Sequence, residues 1–230
     1  MKRRIGKILF KIARSRMATA FTRFAFQHLT WLMPLSKLAE NEHSIAFHHP
    51  VKHWQTHILI VPKQAVSSLM VLNFEDRNDL MLLQHVLKMA ADTAKQQVLS
   101  QYVIIVNGLG YQDVPQLHFH LASGTDKAGK LVGSNRPSAD DLVDNLASTT
   151  SFWNIYELDA EGSFHHTVFT SKSAVDITNA LDALAELLNL IKTKIDSTPF
   201  RGYSVQFYAD AAEPDGKTVI NLIGTLSAEI

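Results

Sequence analysis

The stretch His57-Ile-Leu-Ile-Val-Pro-Lys63 is matched without a gap, 109 positions further on, by His166-Thr-Val-Phe-Thr-Ser-Lys172. The same offset sets Ser44-Ile-Ala-Phe47 against Trp153-Asn-Ile-Tyr156. At an offset of 101, Tyr203-Ser-Val-Gln-Phe207 meets Tyr102-Val-Ile-Ile-Val106, and Lys217 to Thr225 meets Gln116 to Gly124. Identities are few, but the order strand, strand, helix, strand, strand occurs twice. Such self-similarity limits the chain to two like units built on one pattern.

The local signals within each copy are clear. Ser44–Phe47 and His57–Val61 are β-rich and bounded by polar residues or proline. Asn73, followed by Glu75 and Asp76, predicts a helix cap with acids in the first turn. Behind it Leu83, Val86, Leu87, Ala90 and Ala94 repeat at helical spacing and form a core-facing stripe. Tyr102–Val106 is a nearly continuous apolar run suited to a central strand, and Gly108 and Gly110 predict a turn before a second strand from about Gln116 to Leu121. The second copy has its own long helix, with Ile177, Leu181, Leu184, Leu188, Ile191 and Ile195 in register and Pro199 closing it. Between the copies, residues 125–150 are rich in Gly, Ser, Asp and Asn and read as a linker, in which Ser138 ahead of Asp140 and Asp141 predicts one short helix. The expected divisions are an arm over 1–39, a first unit over 40–124, the linker over 125–150 and a second unit over 151–230.

Composition removes several classes of function. The chain of 230 residues contains no cysteine, which excludes disulfide scaffolds, thiolate metal sites and a Cys nucleophile. Its 22 basic and 22 acidic residues balance, so the basic excess of a dedicated nucleic-acid binder is missing. The balance hides an asymmetry: residues 1–23 hold eight basic residues and no acid, leaving fourteen basic residues against all 22 acids elsewhere. In that arm Ile5, Ile8, Leu9 and Ile12 repeat at helical spacing opposite Arg4, Lys7, Lys11 and Arg14. A basic amphipathic helix is expected, either docked on its acidic body, lying on an anionic membrane, or serving as a transit-type presequence. Met17–Met33 is too short and too polar to span a bilayer.

The chemistry is concentrated in the first copy. Gln116-Leu-His-Phe-His-Leu121 alternates polar and apolar residues, so strand geometry sets Gln116, His118 and His120 on one face and Leu117, Phe119 and Leu121 on the other. Such a row can offer a neutral imidazole as nucleophile, donate hydrogen bonds to a phosphate, or ligate a metal. His48, His49 and His53 form a second group that could ligate a metal, although a surface loop is the expected reading.

Residues 40–124 resemble the histidine triad (HIT) nucleotide hydrolases and transferases. The resemblance rests on Ile45-Ala-Phe47, on Thr56-His-Ile-Leu-Ile-Val-Pro-Lys63, on the strand ending at Asn107, and on Tyr111-Gln-Asp-Val-Pro-Gln-Leu-His-Phe-His-Leu121. The family's His-x-His-x-His motif follows a Gln placed four residues ahead, and Gln112 ahead of Gln116 fixes that register. The resemblance implies that His118 attacks the α-phosphorus of a nucleotide to give a nucleotidyl-histidine. It implies that His120 hydrogen-bonds the phosphate or bridging oxygen, that Asn107 and Gln112 contact phosphate, and that His57 belongs to the histidine network. Gln116 replaces the first triad histidine with an amide that cannot titrate. Asp113 stands where a hydroxyl residue is common, and His49 stands where an Asp commonly holds the ribose hydroxyls.

The fold so implied is α+β: a HIT-like antiparallel sheet with a long helix, duplicated into an intrachain pseudo-dimer, plus the amphipathic N-terminal helix. Val219 and Asn221 fall where His118 and His120 stand in the first copy, so the second copy carries no histidine motif. The expected protein is a cytoplasmic nucleotide hydrolase or nucleotidyltransferase, monomeric or weakly dimeric. It needs no metal or cofactor, has no nucleic-acid partner, and takes a nucleotide or nucleotide conjugate as substrate. Two alternatives stay open: a non-catalytic nucleotide or phosphate binder, and a membrane-surface pyrophosphatase acting on a nucleotide-linked lipid through contacts of residues 1–23.

Overall fold

The computed structural model describes residues 37–158, 163–210 and 217–227. The basic helix expected over residues 1–23 lies outside the described residues. Ten strands form one antiparallel sheet: β1 (Lys37–Glu40), β2 (Ser44–His48), β3 (Trp54–Pro62), β4 (Gln101–Leu109), β5 (Phe119–Asp126), β6 (Leu146–Thr149), β7 (Trp153–Leu158), β8 (Phe164–Ser171), β9 (Phe200–Asp210) and β10 (Val219–Leu226). Their order across the sheet is β1-β2-β3-β5-β4-β9-β10-β8-β7-β6, a sequence that reads alike from both ends once each strand is paired with its counterpart. Helix α1 (Arg77–Gln96) joins β3 to β4, α2 (Ala139–Val143) lies between β5 and β6, and α3 (Leu181–Ser197) joins β8 to β9.

The two offsets seen in the sequence recur in the hydrogen-bonded register. Ile45 pairs with Val61, and Asn154, 109 positions on, pairs with Thr170. Leu59 pairs with His120, and Val168 pairs with Asn221. Ile104 pairs with Leu121, and Val205 pairs with Leu222. At the centre, where β4 meets β9, Ile105 faces Gln206, its own counterpart at the 101 offset. The pseudo-twofold axis of the sheet therefore passes through that pair.

One apolar core lies between the sheet and the two long helices. Leu83, Val86, Leu87 and Ala90 of α1 and Leu184, Leu187, Leu188 and Ile191 of α3 share it with Ile58, Ile60, Leu117, Phe119, Leu121, Phe169, Val205 and Ile220. Among the described residues the two long helices pack on this face, and alternate strand residues point to the other: Ile45, Phe47, Leu59 and Val61 form one cluster there, and Val103, Ile105 and Ala122 form another. His118 and His120 share this second face.

The structure corrects several boundaries. Helix α1 is capped by Asp76, whose carboxylate accepts the Asn78 N–H at 2.8 Å. Asn73 instead spends its side-chain oxygen on the Glu75 N–H, a tight turn that delays the helix by one turn. Ile177 also precedes its helix, because Asp176 accepts bonds from the Thr178 N–H and hydroxyl and holds the chain in a turn. Gly108 lies inside β4, where its lack of a side chain admits Tyr203: a Cβ there would sit 2.0 Å from the ring. Pairing in β5 begins at Phe119, so Gln116 and His118 lie on its approach. Residues 37–39 join the sheet as part of β1, and the segment 125–150 contains, besides the Ser138-capped α2, the edge strand β6.

Candidate active site

The site forms where β5 enters the sheet beside β3. Leu117 and Phe119 are anchored in the core, so the alternation of an extended chain turns His118 and His120 toward the open face. The Gln116 side chain is buried, and its amide donates to the carbonyls of Gln64 at 3.1 Å and Pro62 at 3.4 Å, tying the approach to β5 onto the end of β3. Gln112 braces the same loop, donating to the Ser67 carbonyl at 2.6 Å and the Val114 carbonyl at 2.8 Å. Asn107, two residues beyond Ile105 on β4, is half-buried on the same face.

Hydrogen bonds fix the tautomers. His118 Nδ1 lies 2.7 Å from the Gln116 carbonyl, and a carbonyl only accepts, so Nδ1 carries the proton and the Nε2 lone pair is free. His57 Nδ1 accepts the His53 backbone N–H at 3.3 Å, so the neutral ring carries its proton on Nε2 and donates it to His120 Nδ1 at 2.9 Å. His120 in turn holds its proton on Nε2. The 118 and 120 rings stand edge to face with centroids 4.9 Å apart. One imidazole thus offers a lone pair beside another that offers a proton.

Burial keeps these rings neutral. Desolvation, joined by the neighbouring His49 and His53, lowers His57 from its ordinary 6.5 to about 2. Desolvation followed by His53 lowers His49 to about 4. His118 is lowered by desolvation, against which the Gln116 carbonyl and Asp113 act, and His120 is held well below the ordinary range by burial and then by His118 and His57. An uncharged His118 is the form a nucleophile requires.

His49 is not on a surface loop. It is buried, accepts the Val51 N–H through Nδ1 at 3.0 Å, and stacks on His57 with centroids 4.0 Å apart and planes within 7°. The ligating nitrogens of His49, His57 and His120 lie within 4.8 Å of one another. Yet two parallel rings 4 Å apart cannot both aim an in-plane lone pair at one ion, and the His57–His120 gap of 2.9 Å is that of a shared proton. The cluster is shaped as a relay of imidazoles. Trp54, which the sequence did not single out, stands edge-on to His57 at 4.7 Å; three positions apart on a regular strand the two would face opposite ways, and the irregular pairing between Trp54 and Thr56 is what lets them meet.

In the second copy the corresponding positions hold Val219, Asn221 and His166. Linker residue Asn135 sits over them: its Nδ2 donates to Gln206 Oε1 at 3.1 Å, its Oδ1 lies 2.9 Å from the Tyr208 hydroxyl, and its carbonyl accepts from Asn221 Nδ2 at 3.2 Å.

Residues 33–127 match the HIT domain model. The fold is similar over most of its length to a DUF4931 family protein from Bacillus cereus, with a TM-score of 0.55, 10% identity, and 84% of this chain and 87% of that chain covered. It is equally similar to a GalT-like protein from Arabidopsis thaliana, with a TM-score of 0.55, 10% identity, and coverage of 90% and 83%. A HIT family hydrolase from Legionella pneumophila matches 44% of this chain and 91% of its own at 25% identity, with a TM-score of 0.38. The histidine-bearing half of this sheet thus matches the HIT domain over residues 33–127.

Proposed function

We propose that the protein is a nucleotide hydrolase or nucleotidyltransferase working through a covalent nucleotidyl-histidine at His118. The observation that carries this reading is the bond from His118 Nδ1 to the Gln116 carbonyl, which leaves Nε2 free beside a proton-bearing His120. In the first step the His118 Nε2 lone pair attacks the α-phosphorus, the bond from phosphorus to the leaving group breaks, and His120 Nε2–H protonates that group as it departs. In the second, water or an acceptor hydroxyl gives its proton to the now basic His120 and attacks phosphorus, breaking the P–N bond and restoring both rings. His57 positions His120 and fixes its tautomer. Asn107 is suited to a phosphate oxygen, and His49 lies where the ribose is expected. Gln112 and Gln116 shape the loop beneath them.

Incubation with a panel of nucleotide anhydrides and phosphoramidates, followed by intact-mass measurement, is expected to reveal a nucleotidyl adduct that His118→Ala abolishes. No adduct and no turnover across the panel would refute the reading. A second reading, a phosphate or nucleotide binder without turnover, is favoured by Asp113, a carboxylate whose field reaches His118, and by the amide at 116. It predicts ligand-induced thermal stabilisation alone.

The repeated register supports descent of the two halves, 40–124 and 151–230, from one duplicated unit joined by 125–150. In this view the second half supplies internally the surface that a partner subunit would otherwise offer. Sedimentation is expected to give a monomer; an obligate dimer would contradict this. No helix among the described residues is long and apolar enough to cross a membrane. Liposome flotation with and without residues 1–23 tests whether the arm places the enzyme at a membrane surface.

A further inference from the structure

The segment after β5 leaves the sheet as a small hairpin over the histidine-bearing face. Val132 N–H bonds the Gly124 carbonyl at 2.9 Å, Asp126 N–H bonds the Lys130 carbonyl at 2.9 Å, and Asp126 Oδ1 accepts the backbone N–H groups of Ala128 and Lys130 to hold the turn. The chain then crosses the pseudo-twofold axis through Gly133, at φ +80°, and is pinned on the second half by Asn135. Arg136 lies over the Tyr208 ring at 5.9 Å. Between this strap and the sheet is a cavity of about 180 Å³, bounded by Trp54, Val103, Ile105, Val132, Asn135 and Gln206 among others.

Two contacts place the cavity next to the reacting groups. Ile105 of its floor is the direct cross-strand neighbour of His120, and Trp54 of its wall stands against His57, the ring bonded to His120. The cavity therefore adjoins the ring that protonates the leaving group in the reaction proposed above. We propose that the strap cavity is the subsite for the leaving group or acceptor of the phosphoryl transfer, and that it takes a compact uncharged ring with one apolar face and a hydrogen-bonding edge. The inference rests on the reaction proposed above. Its chemistry follows from the lining: Trp54, Val103 and Ile105 offer apolar contact, while Asn135, Gln206 and Ser134 offer amides and a hydroxyl. Of the two charged residues described there, Asp126 is committed to backbone N–H groups and Lys130 is exposed. The volume admits a single six-membered ring with small substituents. In this arrangement the second half, lacking the histidines, serves as the anchor of the strap that shapes the first half's specificity.

The test compares 5′-phosphoramidates of adenosine and of uridine whose leaving amines have similar basicity: methylamine, trans-4-hydroxycyclohexylamine and the anion of 4-aminocyclohexanecarboxylic acid. The hydroxycyclohexyl conjugate is expected to exceed the methyl conjugate in kcat/KM by about tenfold, in line with the discrimination an apolar pocket gives, and the carboxylate is expected to lose that gain. In Asn135→Ala, and independently in Gly133→Ala, the preference is expected to collapse to within about threefold while His118 labelling by the methyl conjugate persists. Labelling without any preference among the three, or a preference unchanged in both folded variants, would overturn the subsite. Absence of labelling by every conjugate would overturn the reaction itself and the subsite with it.

Discussion

His57 and His49 are buried and neutral, and this couples the stability of the fold to pH with a sign and size that follow from the site. In the unfolded chain each has an ordinary pKa of 6.5, whereas in the fold they are lowered to about 2 and about 4. Below pH 6.5 the unfolded state therefore binds protons that the native state refuses, so stability falls as pH falls. Between pH 7 and pH 5 one such group costs about 2 kcal/mol, and the two together about 4 kcal/mol. That is a large share of a total stability of about 5–15 kcal/mol. His118 and His120, also lowered, act in the same direction. The diagnostic variant is His57→Gln, which keeps an amide donor near His120 but cannot titrate. Urea unfolding at pH 7, 6 and 5 is expected to show the variant less stable at pH 7, with a loss on acidification about 2 kcal/mol smaller than that of the parent chain. Parallel pH profiles for the two proteins would show that His57 is protonated in the fold, and the tautomer chain from His53 to His120 would fall with it.

Asp113→Ser is expected to tighten binding of phosphate-bearing ligands, with a gain that shrinks as salt rises, measured by titration at two ionic strengths. Gly108→Ala drives a methyl group into the buried Tyr203 ring and is expected to cost about 1–3 kcal/mol in urea unfolding. Trp153→Phe removes the donor to the Ala183 carbonyl, a 2.9 Å bond in the core, and is expected to cost about 1–3 kcal/mol by the same assay.

Much of the fold was legible because repeats and periodicity are local. The ungapped offsets of 109 and 101 matched each strand to its counterpart, and the hydrogen-bonded register repeats at those offsets. The alternation of Gln116 to Leu121 likewise anticipated which face bears His118 and His120. Edge strands β1 and β6 were not anticipated: each has four residues, and β6 is exposed throughout, so it leaves no hydrophobic trace in the sequence. His49 was misjudged because its contact with His57 arises from a turn between two strands, whose closure no spacing rule specifies, and Trp54 was passed over because its contact needs an irregularity in the β3–β5 pairing that the sequence does not announce. The strap is a purely tertiary object, in which Asn135 finds Gln206, Tyr208 and Asn221 more than seventy positions away.

In an assembly of two identical chains, the residue on the dyad must face its own copy, so any change there is made twice. Here the axis runs between Ile105 and Gln206, which are free to differ. Ile105 is apolar and floors a cavity, while Gln206 is an amide that accepts from Asn135 of the strap. Under the duplication proposed above, covalent linkage leaves the two sides of the seam free to differ, one half bearing the histidines and the other anchoring the strap.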